Sequence, residues 1–284
     1  EPVCVEVTVG PEAAGEAAAA LWGLGATAVA EADDRLTAGF AGHHEAAAAA
    51  AALSERWPVA VVRVDDAWRD AWRPHARPVA VGRIWVRPDW VDAPPPPGAV
   101  ELVLDPGRAY GDGSHPSTRL ALEVVEARVR PGHRVLDVGC GSGVLAVAAG
   151  LLGAGPAVAI DLDPAAASVT ASNARRNGVA VGVVAGTIDC LASTTAPAGP
   201  AYDLVVANLG GLQAAAGLLG TIGGRLAPGG VVAVSGLLAD QADALVGVAG
   251  RLVVPPGPLV EVGRRRRGEW ACVELARPPT VTHP

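Results

Sequence analysis

Two sequence patterns predict an α/β protein in which a small α+β domain precedes a doubly wound, mainly parallel sheet. In the first, over residues 135–161, an apolar run, a glycine-rich turn, a helical stretch and a second apolar run ending in an acid follow one another. In the second, strands and helices alternate from Arg134 onward. This alternation is typical of a parallel sheet with helices on both faces.

Residues 1–64 predict the small domain, because their periodicity changes between two and 3.6 residues in the order βαββαβ. The predicted strands are Val3 to Val9, Ala26 to Glu31, Arg35 to Phe40 and Val59 to Val64, and the predicted helices are Glu12 to Leu24 and His43 to Trp57. This order is that of a ferredoxin-like sheet, which many proteins use as a docking module. We therefore predict a docking module over residues 1–64.

Residues 65–80 predict a linker. Two acids open a short helical stretch that Pro74 must end. Trp68 and Trp72 lie four residues apart and share one helix face, a spacing that favours a packing seam over a ligand platform.

The second domain is predicted over residues 81–284 and opens with strands around Gly82 to Val86 and Val100 to Leu104. A cluster of glycine, proline and hydroxyl residues over 105–119 then leads into a helix over 120–129. Such a cluster favours a loop folded over a ligand.

Three polar side chains of this loop have competing interpretations. Ser117 or Thr118 could cap the helix that follows. His115 could act as a base, but a histidine satisfied by a loop carbonyl is favoured.

The glycine turn discriminates between ligands. A dinucleotide turn needs a third glycine where this chain has Val144, and a phosphate-binding P-loop needs a lysine, which the chain lacks. Gly139, Gly141 and Gly143, with Asp161 ending the next strand, resemble instead the class I methyltransferases that use S-adenosyl-L-methionine. The alternative is a generic strand-to-helix turn in which Asp161 is a helix cap.

Composition excludes several other classes. The formal net charge of −7 disfavours non-specific nucleic-acid binding and allows attraction to a basic protein. The four cysteines lie far apart without histidine clusters, so we expect neither disulfides nor a metal site. No apolar run reaches the roughly 20 residues that span a bilayer, and the first residues show no basic segment followed by an apolar one, so a signal peptide is not expected in this sequence. The default expectation is a soluble cytoplasmic protein without membrane contact.

Five segments carry a more specific resemblance. They are the linker 68–74, the loop Gly111-Asp112-Gly113-Ser114-His115-Pro116-Ser117-Thr118, the glycine turn 137–143, the strand Tyr202-Asp203-Leu204-Val205-Val206-Ala207-Asn208-Leu209 and the closing Gly268-Glu269-Trp270. On these segments the chain resembles the PrmA-type methyltransferases, which trimethylate ribosomal protein eleven of the bacterial large subunit. The resemblance implies a Rossmann-like methyltransferase sheet in the second domain. It also implies that the ferredoxin-like domain over residues 1–64 is the substrate-recognition domain.

The resemblance also implies four binding residues. Thr118 would touch the cofactor from the loop, Gly139 would lie against its methionine end, and Asp161 would hold its ribose. Asn208, at the end of the fourth strand, would line the transfer site and orient the amine, and is the expected catalytic residue; its alternative role is a turn residue at the strand end. Asp203, at the opposite end of that strand, is expected to be structural.

Two segments depart from the family pattern. Gly111-Asp112-Gly113-Ser114 stands where family members commonly have Gly-Thr-Gly-Thr, and Gly210-Gly211 follows Leu209 where bulkier residues are usual. Both departures concern the substrate more than the cofactor. The basic block Arg264 to Arg267 is expected to be a solvated hairpin tip, because no aromatic residues interleave it.

The function expected from these features is methyl transfer from S-adenosyl-L-methionine to amino groups, on lysine side chains or the N-terminus, of a basic ribosomal protein of the large subunit. Direct nucleic-acid binding is not expected. One alternative is a methyltransferase of the same fold acting on another protein or a small amine. Another is a non-catalytic module that binds a nucleoside and a protein, which intact Asp161 and Asn208 disfavour. A nicotinamide dehydrogenase is opposed by Val144.

Overall fold

A computed structural model describes most of the chain. The described residues are 3–26, 28–32, 34–40, 42–63, 73, 76–107, 111, 113–193, 201–252 and 258–277. The chain divides into two compact units, Glu1–Pro74 and His75–Pro284. The predicted linker helix with Trp68 and Trp72 lies outside the described residues.

The first unit has the predicted βαββαβ order. Its elements are β1 (Val3–Thr8), α1 (Pro11–Gly23), β2 (Ala28–Ala32), β3 (Arg35–Phe40), α2 (His43–Leu53) and β4 (Val59–Arg63). The strands lie in the order β2-β3-β1-β4, with every neighbouring pair antiparallel. The expectation of a small antiparallel sheet before the main sheet is confirmed.

Alternation along the strands builds the core of this unit. In β1, Val3, Val5 and Val7 are buried, while the residues between them are more exposed. Leu21 of α1 and Leu53 of α2 close over this apolar face. Alternating strands of this kind bury one face of a sheet and expose the other.

The second unit opens with a separate three-stranded sheet. Its strands are β5 (Val79–Val81), β6 (Ile84–Pro88) and β7 (Val100–Leu104), with β5 antiparallel and β7 parallel to β6. The strand expected from Gly82 was wrong at its start, because Gly82 has a φ of 54° and forms the β5–β6 turn. β5 begins at Val79, inside the range predicted as linker.

The central sheet has seven strands in the order β10-β9-β8-β11-β12-β14-β13. They are β8 (Val135–Val138), β9 (Ala157–Asp161), β10 (Val181–Ala185), β11 (Tyr202–Asn208), β12 (Leu226–Leu238), β13 (Val260–Arg267) and β14 (Trp270–Ala276). Five neighbouring strands, β10 to β12, are parallel, and β14 and β13 add an antiparallel hairpin at one edge. The mainly parallel, doubly wound sheet is thus confirmed.

Helices cover both faces of this sheet. They are α3 (Pro116–Arg128), α4 (Val144–Leu151), α5 (Pro164–Arg176), α6 (Leu212–Gly223) and α7 (Ala242–Ala249). Leu122 of α3 and Val147 of α4 belong to one buried cluster, and Leu219 of α6 and Leu245 of α7 belong to another. The two clusters account for the continuous burial of β8, which is covered on both faces.

Two asparagine side chains, one on α5 and one directly after it, connect α5 to the three-stranded sheet by hydrogen bonds. Asn177 accepts from the backbone N–H of Val103 at 2.8 Å and donates to the carbonyl of the same residue at 2.7 Å. Asn173, buried on α5, exchanges the same pair of bonds with Asp105 at 3.1 and 2.9 Å and also donates to the carbonyl of Ser142 in the glycine turn. The two amides therefore satisfy backbone N–H and C=O groups at the edge of β7 that a neighbouring strand would otherwise satisfy.

Among the described residues, no helix is long and apolar enough to cross a membrane. The described part of the chain also contains no cluster of histidine, cysteine and acidic side chains that could hold a metal ion. All four cysteines are described, and none forms a disulfide.

Candidate active site

A cavity of about 740 Å³ opens at the carboxyl ends of the parallel strands β8, β9 and β11. Ligands of open α/β sheets bind at this edge, because the loops that follow the strands converge there. The lining residues are Ser117, Gly139, Gly141, Asp161, Asp163, Ala166, Asn208, Leu209, Gly210, Gly211, Gly236, Leu238, Gln241 and Trp270. Three of the four residues predicted for the site, Gly139, Asp161 and Asn208, line this cavity.

Gly139 forms the first bend of the turn after β8. Its N–H donates to the carbonyl of Ile160 at 2.8 Å, and its φ of 73° is a left-handed conformation that favours glycine. A Cβ at this position would lie 2.8 Å from Cδ2 of Leu209. The turn therefore needs glycine, and the absent side chain leaves the backbone open to the cavity.

Asp161 is oriented by two backbone groups at the end of β9. Its Oδ2 accepts from the N–H of Gly141 at 2.9 Å, and its Oδ1 accepts from the N–H of Asp163 at 3.0 Å. Asp163, rather than Asp161, caps α5 by accepting from the N–H of Ala165 at 2.8 Å. The alternative in which Asp161 is only a helix cap is wrong, and each of its oxygens retains capacity to accept another bond.

Asn208, the last residue of β11, is hydrogen-bonded to helix α3. Its Nδ2 donates to Oγ1 of Thr118 at 3.2 Å, and Thr118 is only 1% exposed. Next to this contact, the hydroxyl of Ser235 donates to the backbone carbonyl of Ser117 at 2.8 Å. Thr118 does not line the cavity and contacts Asn208 instead. Its predicted contact with a cofactor stays a prediction.

His115 caps α3, a role that was the alternative interpretation of Ser117 and Thr118. Its Nδ1 accepts from the backbone N–H of Ser117 at 3.2 Å and lies 2.7 Å from the Ser117 hydroxyl. At Nδ1 the partner is therefore Ser117 rather than a loop carbonyl. The imidazole also packs edge-to-face on Trp270, with ring centroids 4.5 Å apart. α3 begins at Pro116, four residues before the predicted start, because proline suits the first helical position.

Two titratable groups of the segment 137–143 have raised pKa values. Burial raises the pKa of Asp137 to about 7, although the N–H of Ala146 donates to its Oδ2 at 3.1 Å. Its other oxygen, Oδ1, is buried without a hydrogen-bond partner in the described structure. Burial likewise raises the pKa of the Cys140 thiol to about 12, so this thiol is not a nucleophile at neutral pH.

Several lining residues were not predicted for the site. Trp270 begins β14, Leu238 ends β12, and Gln241 follows β12, so the three residues reach the cavity from the side of the sheet that carries the antiparallel hairpin. Trp270 lies in one of the five matching segments, which was the available signal for it. Asp203 contacts the N–H of Arg134 at 2.8 Å from the opposite end of β11, as its expected structural role requires.

The basic block lies in β13 and is largely neutralised by acids. Arg264 contacts Asp243 and Glu261 at 2.7 and 2.8 Å, and Arg267 contacts Glu123 at 2.7 Å. The hairpin tip lies beyond it, at Gly268 and Glu269.

Comparison with known proteins gives one consistent family. The family model described as ribosomal protein L11 methyltransferase (PrmA) matches residues 23–278. A protein of that name from Dechloromonas aromatica is 38% identical over 235 residues, which cover 82% of this chain and 74% of the relative. One from Burkholderia multivorans is 44% identical over 203 residues, which cover 70% of this chain and 62% of the relative.

A solved structure agrees with the sequence relatives. The crystal structure of ribosomal protein L11 methylase from Lactobacillus delbrueckii subsp. bulgaricus superposes with a TM-score of 0.59 at 26% identity, covering 71% of this chain and 99% of that one. The resemblance therefore extends to three-dimensional structure.

Proposed function

The chain belongs to the ribosomal protein L11 methyltransferase (PrmA) family, and we propose that it transfers methyl groups from S-adenosylmethionine to amino groups of ribosomal protein L11. The observation that carries the proposal is the cavity at the carboxyl edge of the sheet, which both an oriented carboxylate and an anchored amide line.

The residues of the cavity fit the proposed donor. Asp161 offers a carboxylate whose oxygens can accept from two ribose hydroxyls, and Gly139 offers exposed backbone to the methionine end. The volume of about 740 Å³ lies in the range of small-molecule sites. When bound, S-adenosylmethionine supplies the methyl group and carries its own leaving group.

Asn208 can meet the main chemical requirement of the acceptor. A lysine amine has an ordinary pKa near 10.4, and its neutral form costs about 4 to 5 kcal/mol at pH 7 unless its surroundings lower that pKa. Because Thr118 accepts from Nδ2 of Asn208, the amide oxygen is available to accept a hydrogen from the amine. This contact would orient the nitrogen lone pair, and orientation is the main contribution that the protein makes.

Mass spectrometry of purified ribosomal protein L11, incubated with the enzyme and S-adenosylmethionine, tests the proposed function. We expect mass increments of whole methyl groups on lysine-containing fragments or on the N-terminus. The enzyme has no lysine, so methylated lysines in the mixture must belong to the substrate. Intact donor binding without any increment on the ribosomal protein would favour another protein or a small amine as acceptor.

Replacement of Asp161 by alanine tests the donor site separately. Charge-assisted hydrogen bonds contribute about 1.5 to 3 kcal/mol each, so Asp161→Ala should weaken donor binding by at least about tenfold. Calorimetric titration with S-adenosylmethionine measures this change, with circular dichroism to verify folding. An unchanged dissociation constant in a folded variant would remove Asp161 from the donor site.

A further inference from the structure

The strand order separates the cavity lining into two ends. Asp161 ends β9, and Asn208 ends β11, which lies two places further along the sheet. Leu238 ends β12 and Trp270 begins β14, so both lie beyond Asn208 on the side away from Asp161. With the donor ribose at Asp161 and methyl transfer at Asn208, the acceptor has to enter from the side of Leu238 and Trp270. This step rests on the proposed function.

Leu238 and Trp270 give the acceptor side an apolar wall. On β12, Ser235 pairs with Asn208 and is fully buried, whereas Leu238, three residues further along, is 39% exposed. Leu238 and Trp270 are cross-strand partners, so the wall is continuous from β12 to β14. Such a wall suits the four-carbon stem of a lysine side chain, which packs on apolar surface while its nitrogen extends beyond it.

Gln241 adds a polar group to this wall. It is the last residue of the short helical turn Ala239–Gln241 that follows β12, and it lines the cavity together with Leu238. Its Oε1 accepts from the backbone N–H of Leu238 at 3.1 Å, so the side-chain amide lies against the wall. Within the described part of the chain Nε2 makes no hydrogen bond, and it keeps two hydrogens to donate.

The charges near the acceptor side lie outside the cavity. The carboxylates that line the cavity, Asp161 and Asp163, belong to the donor end. Asp240 and Glu269 are exposed next to the wall and do not line the cavity. Gln241 therefore offers an uncharged donor. Lysine and arginine side chains have no acceptor atoms, so the group of a basic protein that complements this donor is a peptide carbonyl.

We propose that Gln241 binds the main chain of the protein substrate. Its Nε2 donates to a peptide carbonyl beside the acceptor lysine, while the lysine stem crosses Leu238 and Trp270 and presents its amine at Asn208. The hydrogen bond lies away from the reacting atoms and is the same before and during methyl transfer. Its loss should therefore raise KM for the protein substrate and leave kcat close to that of wild type.

Two substitutions at Gln241 test this contact. Gln241→Met has a similar length, carries no charge and cannot donate. Gln241→Glu keeps an oxygen for the N–H of Leu238 and replaces the NH₂ group by a second oxygen. Initial rates of methyl transfer to ribosomal protein L11 are measured at saturating S-adenosylmethionine. We expect KM to rise by about threefold to tenfold in both variants, as for the loss of one hydrogen bond, with kcat nearly unchanged.

Gln213 provides the matched control. It is exposed on α6 and does not line the cavity, so Gln213→Met and Gln213→Glu make the same chemical changes outside the wall. Both control variants should keep the wild-type KM. Donor dissociation constants from calorimetry and melting temperatures are measured for all four variants, and the donor affinity should stay close to that of wild type. A new carboxylate attracts a basic protein, so Gln241→Met decides if the two Gln241 variants disagree.

Three results would overturn the inference. One is an unchanged KM in folded Gln241→Met. Another is a fall in kcat or in donor affinity as large as the rise in KM, which would assign Gln241 to the structure of the cavity and not to substrate binding. The third is an equal rise in KM for the Gln213 variants. Absence of any transfer to ribosomal protein L11 by wild type would instead refute the proposed function itself.

Discussion

The two units of the chain bury different kinds of side chain. In the described part of Glu1–Pro74 the fully buried side chains are all hydrophobic, as in Val5, Leu21 and Leu36. In the described part of His75–Pro284 eight polar or charged side chains are buried as well. They are Ser117, Thr118, Asp137, Ser142, Thr170, Asn173, Ser235 and Glu274.

The difference teaches which unit carries the chemistry. Burying a polar group costs free energy unless it is hydrogen-bonded, so such groups stay in a core where their bonds position something. Of these groups, Ser117 lines the cavity, Thr118 anchors the cavity residue Asn208, and Ser235 anchors the backbone of Ser117. An apolar core such as that of the first unit maintains a fold, and we infer that this unit acts through its surface.

The largest expected effect comes from removing the first unit. A chain that begins at His75 should keep donor affinity close to that of the full chain, because the described cavity lining lies in the second unit. It should lose detectable transfer to ribosomal protein L11 if the first unit recognises the substrate. Calorimetry and mass spectrometry on one preparation separate the two functions. Full activity of the shortened chain would show that recognition lies elsewhere.

The next effect concerns the buried amide contact. Asn208→Ala should lower the single-turnover rate by about 10²-fold or more, equivalent to about 2.7 kcal/mol of transition-state stabilisation, with a modest change in donor affinity. The reason is that the amine loses the group that orients it. If Asn208 were only a strand-end residue, the melting temperature would fall while the rate per folded molecule stayed near normal.

A smaller effect concerns the buried carboxyl group of Asp137. Burial raises the pKa of Asp137 from 3.8 to about 7, so between these values the folded chain holds a proton that the unfolded chain has released. The unfolded state then binds fewer protons, and the free energy of unfolding contributed by this group falls as pH rises through about 7. Asp137→Asn should therefore show a flatter decline in stability between about pH 4 and about pH 7 than wild type.

Chemical denaturation at several pH values measures this difference. Asp203→Asn, at the opposite end of the sheet, is the control for loss of one carboxylate. Parallel pH profiles of wild type and Asp137→Asn would mean that the buried carboxyl does not titrate in this range.

The smallest effect tests the first unit alone. Gly10 is the residue before α1, has an extended backbone and offers no side-chain cap. Because a Cβ there would meet no atom within 4 Å, Gly10→Ser can add a cap and should raise the free energy of unfolding of this unit by a few tenths of a kcal/mol. Gly10→Ala, which has no hydroxyl, should give no such gain. Equal melting temperatures for the serine and alanine variants would count against capping.

Much of this organisation could be predicted from periodicity. The continuous apolar run of β8 is typical of a strand covered on both faces, and the alternation in β1 is typical of a strand buried on one face. Both strands were predicted within one or two residues. β5 was missed because three residues carry too little pattern. The parallel pairing of β6 with β7 was also not predictable, because short sequence separation ordinarily indicates a hairpin.

The residues of the candidate site likewise divide into those that the sequence predicts and those that it does not. Asp161 and Asn208 end apolar strands, so their position at the cavity follows from the rule for open α/β sheets. Trp270 reaches the cavity through long-range pairing of β14 with β12, which no local pattern reveals. His115 as a cap depends on which ring nitrogen accepts, and the residue type does not specify that choice.

The side-chain amide of Asn177 is a site where deamidation is expected when the chain is unfolded. Asn177 precedes Gly178, a pairing in which the next backbone nitrogen can attack the side-chain amide and convert asparagine to an acid, and asparagine is among the thermolabile residues. In the fold, Nδ2 donates to the carbonyls of Val103 and Asn173, and the N–H of Gly178 donates to the carbonyl of Arg175, so the reacting atoms are restrained. An unfolded chain loses that restraint. Prolonged unfolding should therefore become progressively irreversible, because a carboxylate at position 177 would face two carbonyls on return.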